Sequence, residues 1–399
     1  MSTPGSTADN SVRDFQAQPL PRWQRAVLKV GSSLLAGFSD EPDGLDPRYA
    51  AGLARFIAQA RAQQREVVLV SSGAVAAGRG RIDTGGDSLV LRQALASLGQ
   101  ASLMGFWQQL SDRPVAQVLL THDDLRNRRR YLNARATLRE LLKLGALPII
   151  NENDAVAVDE LKLGDNDNLA AAVASLVDAD LLLIATDIGG LYSAHPQRDP
   201  TARAIDRIER ITPELLLAAS GGAGKLGTGG MRTKLEAAAK ATAAGIPTAL
   251  FCGRNDAVVR ALGEGQLHGT LVLAQGDRLR ARKQWLRHAP SSGRLLVDAG
   301  AVAALHRQGA SLLPGGVAGV EGDFRRGDVI EIVATTAGAE PFARGLAQYS
   351  ATEIGRIARR HSNDIEAVLG FRYGESVIHR DDLVLLVAAH DDETPEVKA

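Results

Sequence analysis

Asn151-Glu152-Asn153-Asp154 and Gly164-Asp165-Asn166-Asp167-Asn168-Leu169 are two acid-amide clusters separated by a short stretch of chain, each next to apolar sequence. Asp and Asn are poor core material, because every buried polar atom needs a partner. Their oxygens suit an ammonium group or a hydrated metal, and their amide N–H groups suit a carboxylate. Asx residues also cap helices and occupy turns. Two such clusters so close together, with the glycine-threonine-lysine segment described next, point to an enzyme site.

Gly227-Thr228-Gly229-Gly230-Met231-Arg232-Thr233-Lys234 runs into an alanine-rich stretch, Leu235 to Ala244. Glycines let backbone N–H groups approach an anion, and a following helix adds free N–H groups and the positive end of its dipole. Lys234 falls in the first turn of that helix, where the dipole disfavours a cation. A polyphosphate neighbour accounts for it. Lys29 is a second basic anchor, set in the otherwise apolar run Ala26-Val27-Leu28-Lys29-Val30. A lysine there needs acid groups, phosphate or an edge open to water. No segment matches the Walker pattern. Gly222-Ala223-Gly224-Lys225-Leu226-Gly227 matches the dinucleotide fingerprint as a string, but it follows a helical run, Pro213 to Ser220, and no strand, which excludes a Rossmann cofactor. His379-Arg380-Asp381 lacks the downstream Asn of a protein-kinase catalytic loop and is a chance match.

The elements that must position these residues alternate between strand and helix. Ala26–Val30, Glu66–Val70, Leu147–Ile150 and Asp180–Ile184 are apolar runs of strand length, and a helix is predicted from about Pro47 to Gln63. Strands apolar throughout, with helices between them, predict a parallel sheet covered on both faces. The polar residues follow each strand at its C-terminal end, where open α/β sheets bind ligands. A basic segment with Arg278, Arg280, Arg282, Lys283, Arg287 and His288 then precedes short β-like runs spaced by glycines, which suggest a small barrel or sandwich. The expected domains are a disordered leader at 1–21, a catalytic domain at 22–280, a basic linker at 281–291, a β-rich domain at 292–388 and a flexible tail at 389–399.

Composition narrows the classes. Lys+Arg and Asp+Glu both total 46 in 399 residues, so no global field favours nucleic acid or membrane. Cys252 is the only cysteine, which excludes an internal disulfide and fits a reducing cytoplasm. The first residues lack the apolar core of a secretory signal, and no apolar run reaches membrane length.

Taken in order, these segments resemble the amino acid kinase family, and within it the branch that phosphorylates glutamate. The resemblance rests on Val27 to Ser33, Val70 to Gly78, the two acid-amide clusters, Thr186-Asp187 with Gly190-Leu191-Tyr192, and Gly227 to Lys234. It spans about residues 25–388, and the C-terminal part resembles a PUA domain. It implies a three-layer αβα sandwich with a mostly parallel sheet, followed by a small β-rich domain. The implied reaction moves the γ-phosphoryl group of ATP to the side-chain carboxylate of L-glutamate, giving L-glutamyl 5-phosphate for proline biosynthesis. Such a carboxylate is already ionised at neutral pH, so the site must supply positive charge and alignment and no general base.

By the same resemblance, Lys29, Asp167 and Lys234 are catalytic: the lysines neutralise the transferring group and Asp167 orients them or a metal shell. Ser72, Gly73, Asp154 and Asn166 match glutamate-binding positions. Lys29, Thr186, Asp187 and Thr228, Gly229, Gly230, Met231, Arg232, Thr233 and Lys234 match nucleotide-binding positions. Mg²⁺ is expected on the nucleotide phosphates, with Asp165 a further candidate ligand. Proline is the expected feedback inhibitor, and a cytoplasmic homo-oligomer the expected form. Two alternatives stay open: an enzyme of the same fold with another acceptor, or RNA binding through the PUA-like domain. Arg126, Arg128, Arg129 and Arg130 read as a solvated face, or as a helical arm toward another subunit.

Overall fold

Val27, Leu28 and Val30 are branched apolar residues with strand preference, and Arg25–Val30 forms a fully paired strand at the centre of a parallel sheet. The computed structural model describes residues 15–386 apart from 37–43, 83, 158–165, 195–198, 200, 220–229, 275, 277–282, 284–285 and 337. The chain divides into two units, Met1–Asp277 and Arg278–Ala399.

The first unit has strands β1 (Ala17–Pro19), β2 (Arg25–Val30), β3 (Glu66–Ser71), β4 (Val115–Leu120), β5 (Leu147–Glu152), β6 (Leu181–Thr186), β7 (Arg207–Ile208), β8 (Thr248–Cys252) and β9 (Gln266–Val272). They form one sheet in the order β1-β9-β8-β6-β2-β3-β5-β4, with β7 also on β9. Every pairing from β8 to β4 is parallel, whereas β9 runs antiparallel to β8 and β1 antiparallel to β9. Its helices are α1 (Pro47–Ala62), α2 (Ala74–Arg79), α3 (Leu89–Leu110), α4 (His122–Arg126), α5 (Arg128–Lys143), α6 (Asn166–Leu176), α7 (Pro213–Ala218), α8 (Met231–Ala243) and α9 (Asp256–Gly263). The start of α1 is set locally: Pro47 is its first residue, and the Asp46 carboxylate accepts from Arg48 N at 2.8 Å.

Side chains alternate across the sheet, and the alternation decides where Lys29 goes. Leu28, Val30, Leu69, Leu183 and Ala185 face one core, with Leu53 and Phe56 of α1, Leu103 and Trp107 of α3, and Leu262 of α9. Val27, Val68, Val70, Leu182 and Ile184 face the other, with Leu169 and Val173 of α6 and Leu235 and Ala238 of α8. Helices therefore cover both faces, giving three layers. Lys29 shares its face with Val27, so its side chain is delivered to α6 and α8. Those two helices pack through small residues, Ala170, Ala171 and Ala174 on one and Ala237, Ala238 and Ala241 on the other.

The second unit holds a five-stranded sheet of β10 (Arg294–Val297), β11 (Val317–Glu321), β12 (Val329–Ala334), β13 (Ala343–Leu346) and β14 (Leu383–Leu385), in the order β11-β10-β12-β13-β14. β10 and β12 are parallel and the remaining pairs antiparallel. Leu295, Ile330, Ile332, Tyr349 and Ile354 centre its core. Short strands between glycine turns were expected here. They make one mixed sheet with helices Ala299–Gln308 and Ala351–Ile357.

Two sequence expectations need correction. Residues 1–21 read as a disordered leader, yet Ala17–Pro19 pairs with Gln266–His268, and Phe15 is buried with its ring edge-on to Tyr192 at 5.1 Å. Backbone pairing with β9 and one aromatic anchor order this end, a signal that composition does not register. Residues 1–14 and the tail at 387–399 lie outside the described residues. Residues 281–291 read as a linker, yet Leu286 and Ala289 are buried against Val329, Leu346 and Val384, and the Arg344 guanidinium donates to Arg287 O at 2.7 Å. That stretch is in part core of the second unit.

Candidate active site

The carboxyl ends of β6, β2, β3 and β5 lie side by side, and the polar residues that follow them meet at that edge. β3 leads through Ser72 into Gly73, whose φ of 113° is left-handed backbone that glycine adopts without strain. A Cβ there would also come within 3.3 Å of Leu35. Gly73 thereby starts α2 and leaves Ser72 at the sheet edge, with Ser72 N donating to Val30 O at 3.0 Å.

At the centre, Lys29 Nζ is 2.7 Å from Asp167 Oδ1, and Lys234 Nζ is 3.3 Å from Asp167 Oδ2. The Thr233 hydroxyl donates to Asp167 Oδ2 at 2.7 Å, with Gly230 O 2.9 Å from the same hydroxyl. Asp167 is 1% exposed, Lys29 4% and Lys234 8%. Burial pushes the Asp167 carboxyl upward, but the charges of Lys29 and Lys234 outweigh it and hold the group well below the usual carboxylate range. Burial also pulls the Lys234 ammonium below its ordinary value; Asp167 opposes the shift and Lys29 adds to it. Two ammonium groups around one carboxylate leave one net positive charge, poorly screened by water. Such a centre stabilises an anion carrying several negative oxygens.

Beside it, Asn166 Nδ2 donates to Ser72 Oγ at 2.9 Å and to Asn151 Oδ1 at 3.0 Å. Thus α6 presents Asp167 to the lysines and Asn166 to the β3 and β5 ends. Asp154 lies just past β5; burial pushes its carboxyl up to about 6, with the Arg92 charge pulling the other way. At the end of β6 the Thr186 hydroxyl lies 3.3 Å from Asp187 Oδ1 and accepts from Ile188 N at 3.3 Å. Asp187 is near enough for its charge to raise Lys234.

The structure therefore brings Lys29, Asp167, Thr233 and Lys234 together, and Ser72 with Asn166. It turns Arg232 outward to Glu236, at 2.7 Å one helical turn on, and packs Met231 beside the α6–α8 core. Thr228 and Gly229, the Gly222–Gly227 string, and Gly164 with Asp165 lie outside the described residues.

Sequence reasoning gave no role to Gln100 and named Asn151 only as part of its acid-amide cluster. Asn151 Nδ2 donates to Gln100 Oε1 at 3.0 Å. A signal was present: Ala96, Gln100, Leu103 and Trp107 recur at helical spacing and are buried, and only Gln100 in that stripe carries an amide. Trp107 Nε1 donates to Ser71 Oγ at 2.9 Å and fastens the same helix to β3.

Among the described residues, no group of three or more His, Cys, Asp or Glu stands together as a metal site, and no helix is long and apolar enough to cross a membrane.

The chain is similar to known proteins along most of its length. The model of the amino acid kinase family matches residues 24–252, and that of the PUA domain residues 293–369. A curated relative, glutamate 5-kinase of Xanthomonas euvesicatoria pv. vesicatoria (strain 85-10), is 64% identical over 365 residues, covering 90% of this chain and 100% of that protein. The glutamate 5-kinase of Xylella fastidiosa (strain M12) is 59% identical, covering 93% and 98%. A UMP kinase structure from Bacillus anthracis covers 64% of this chain and 98% of its own at 16% identity and a TM-score of 0.45, a likeness too slight to add to the family match.

Proposed function

This chain belongs to the amino acid kinase family, and from that premise we propose that it transfers the γ-phosphoryl group of ATP to the side-chain carboxylate of L-glutamate. The product is L-glutamyl 5-phosphate, an activated acyl phosphate that opens proline biosynthesis. The observation that carries the reading is the pair of buried ammonium groups held on Asp167 directly beside Asn166 and Ser72.

The chemistry follows from charge. Nucleophile and triphosphate are both anions, and their repulsion is the main obstacle to in-line attack. Lys29 and Lys234 offset it where charge builds on the transferring oxygens, and they are already placed before reaction. Asp167 cannot act as a base, because both its oxygens are engaged and it stays ionised. It holds the two ammonium groups on its two oxygens. Asp154 carries the charge that pairs with the substrate ammonium, while Ser72 and the Asn166 amide serve the polar groups around it. Thr186, Asp187 and the Gly230–Lys234 start of α8 border the nucleotide.

Mg²⁺ fits as a companion of the nucleotide. It prefers phosphate oxygens and water to an all-protein cage, and the described carboxylates do not cluster into one. Bound to the phosphates, it supplies further neutralisation of their charge. Asp165, one residue before Asn166 in the sequence, and Asp187, whose charge reaches Lys234, are the carboxylates that would complete its shell. Proline as feedback inhibitor, a homo-oligomer and a cytoplasmic location complete the proposal and rest on the family likeness alone. Nucleic acid is left out, since the formal net charge is zero.

The test is direct. Purified protein with ATP, Mg²⁺, L-glutamate and hydroxylamine should yield the glutamyl hydroxamate. Equal or faster turnover with aspartate or N-acetylglutamate overturns the acceptor assignment.

A further inference from the structure

The polarity of the buried amides beside the site can be read from one backbone group. Glu152 N donates to Asn151 Oδ1 at 2.9 Å. A backbone N–H is always a donor, so this end of Asn151 is its oxygen and the other end its NH₂. That NH₂ donates to Gln100 Oε1 at 3.0 Å. The Asn151 oxygen also accepts from Asn166 Nδ2 at 3.0 Å, and the second N–H of Asn166 goes to Ser72 Oγ at 2.9 Å. Both amide protons of Asn166 are thus engaged. Its Oδ1 is buried and has no hydrogen-bond partner among the described residues.

A buried oxygen without a donor is unfavourable, and a ligand that brings a donor removes the penalty. Gln100, Asn151 and Asn166 are each at least nine-tenths buried, so water does not readily restore a lost bond. The backbone at Gln100 is set by helix packing, while its Nε2 is buried without a partner among the described residues. The neighbouring Gly99 brings α3 against the backbone of α2, where an added Cβ would lie 1.9 Å from Ala74 O.

We propose that Gln100 is a positioning residue for the substrate ammonium: by holding the Asn151 NH₂ it keeps the Asn151 oxygen on the Asn166 NH₂, and so keeps the Asn166 oxygen free to accept from that ammonium. Without Gln100, the Asn151 NH₂ is buried with no acceptor; turning would set it against two donors, Glu152 N–H and the Asn166 NH₂, so Asn151 keeps its polarity but loses the bond that holds its far end in place. Asn166 then leans on a partner free to shift, with only Ser72 still holding its amide firmly in place. This inference rests on the glutamate reading given above.

Three variants test it. Gln100→Met keeps chain length and buried volume but removes the acceptor. Gln100→Glu keeps an acceptor oxygen whether or not it is protonated. Asn151→Ala cuts the same link from its other end. Gln100→Met should raise KM for glutamate roughly tenfold, as expected for one buried polar group left unsatisfied, with kcat and KM for ATP within about twofold. Gln100→Glu should restore most of the loss, and adding Gln100→Met to Asn151→Ala should cost nothing further. An unchanged KM for glutamate in Gln100→Met overturns the proposal. So does equal damage to kcat and both KM values, or additive losses in the double variant. If Gln100→Met does not fold, Gln100→Glu against Asn151→Ala decides, since only the second should raise KM. The hydroxamate assay on the unaltered protein runs alongside. If that protein does not phosphorylate glutamate, the functional reading has failed; if it does and Gln100→Met is indifferent, only this inference has.

Discussion

Lys29 reaches Asp167 from the central strand at 2.7 Å, at a point where both side chains are almost completely shielded from water. The first residue belongs to the sheet and the second to a helix start well over a hundred positions later, so the contact exists only once β2 and α6 are packed. Folding and the charge arrangement of the site are therefore one event.

Removal of either cation should act on rate. Lys29→Ala and Lys234→Ala are each expected to lower kcat roughly 100- to 1000-fold, the usual effect of deleting one preorganised electrostatic stabiliser, with little change in KM for glutamate. Arginine at either position should rescue poorly, because a planar fork does not replace a compact ammonium in a closed site. Steady-state kinetics check it. A Lys234→Ala protein with intact kcat and raised KM for glutamate would remove that residue from the catalytic centre.

Asp167→Ala should be the most destabilising change at the site. It takes from two buried ammonium groups the carboxylate they share, and breaking a buried ion pair from one side costs about 3–5 kcal/mol. Urea unfolding followed by circular dichroism reports it. Removing Lys234 as well should return part of the loss, because the repulsion goes with it.

Acid should weaken glutamate capture through Asp154. Its carboxyl is pushed up to about 6 by burial, so it is charged above that pH and neutral below. A neutral carboxyl does not pair with an ammonium group. KM for glutamate should therefore rise as pH falls through about 6, and Asp154→Asn should show a high KM that no longer depends on pH over that range. The same shift has a stability sign. A raised carboxyl pKa means that the folded protein binds this proton more tightly than the unfolded chain, so ionised Asp154 opposes folding. Asp154→Asn should accordingly unfold at a slightly higher temperature at neutral pH.

A chain ending at Asp277 should fold and retain binding of glutamate and nucleotide, since every site residue named here precedes that point. A cut at Ser291 is expected to behave worse. It leaves Leu286 and Ala289 attached to a unit whose core does not contain them. Calorimetric titration of the shortened protein with glutamate and a nucleotide decides it, and loss of both in a folded chain would show that the second unit is needed.

Much of this was legible in the sequence. β2, β3, β5 and β6 are apolar runs bounded by polar residues, and a buried parallel strand leaves that trace because both of its faces meet helices. The lysine in β2 and the acid-amide clusters stand out because they break such runs. Local pattern fails where a feature is made by distant chain. Gln100 shows only as the one amide in an apolar helical stripe, and its partner becomes visible when α3 is laid against the end of β5. β1 is three residues long, and its apolar anchor, Phe15, sits among polar neighbours. Leu286 and Ala289 were lost among arginines because charge density was the feature being read.

The small strand β1 also bears on how the sheet avoids stray strand pairing. Ala17–Pro19 occupies the outer edge of β9 beside Gln266–His268 and closes one end of a nine-stranded sheet. An uncovered strand offers its free N–H and C=O groups to any other extended chain. Pro19 has no N–H to give, so the cover itself makes a poor template for further growth. Trimming the chain at residue 21 as though it began with dispensable sequence would strip that cover and empty the place of Phe15 beside Tyr192. The outcome to look for is not lost catalysis but self-association, a solubility defect whose source lies in sequence that composition alone would discard.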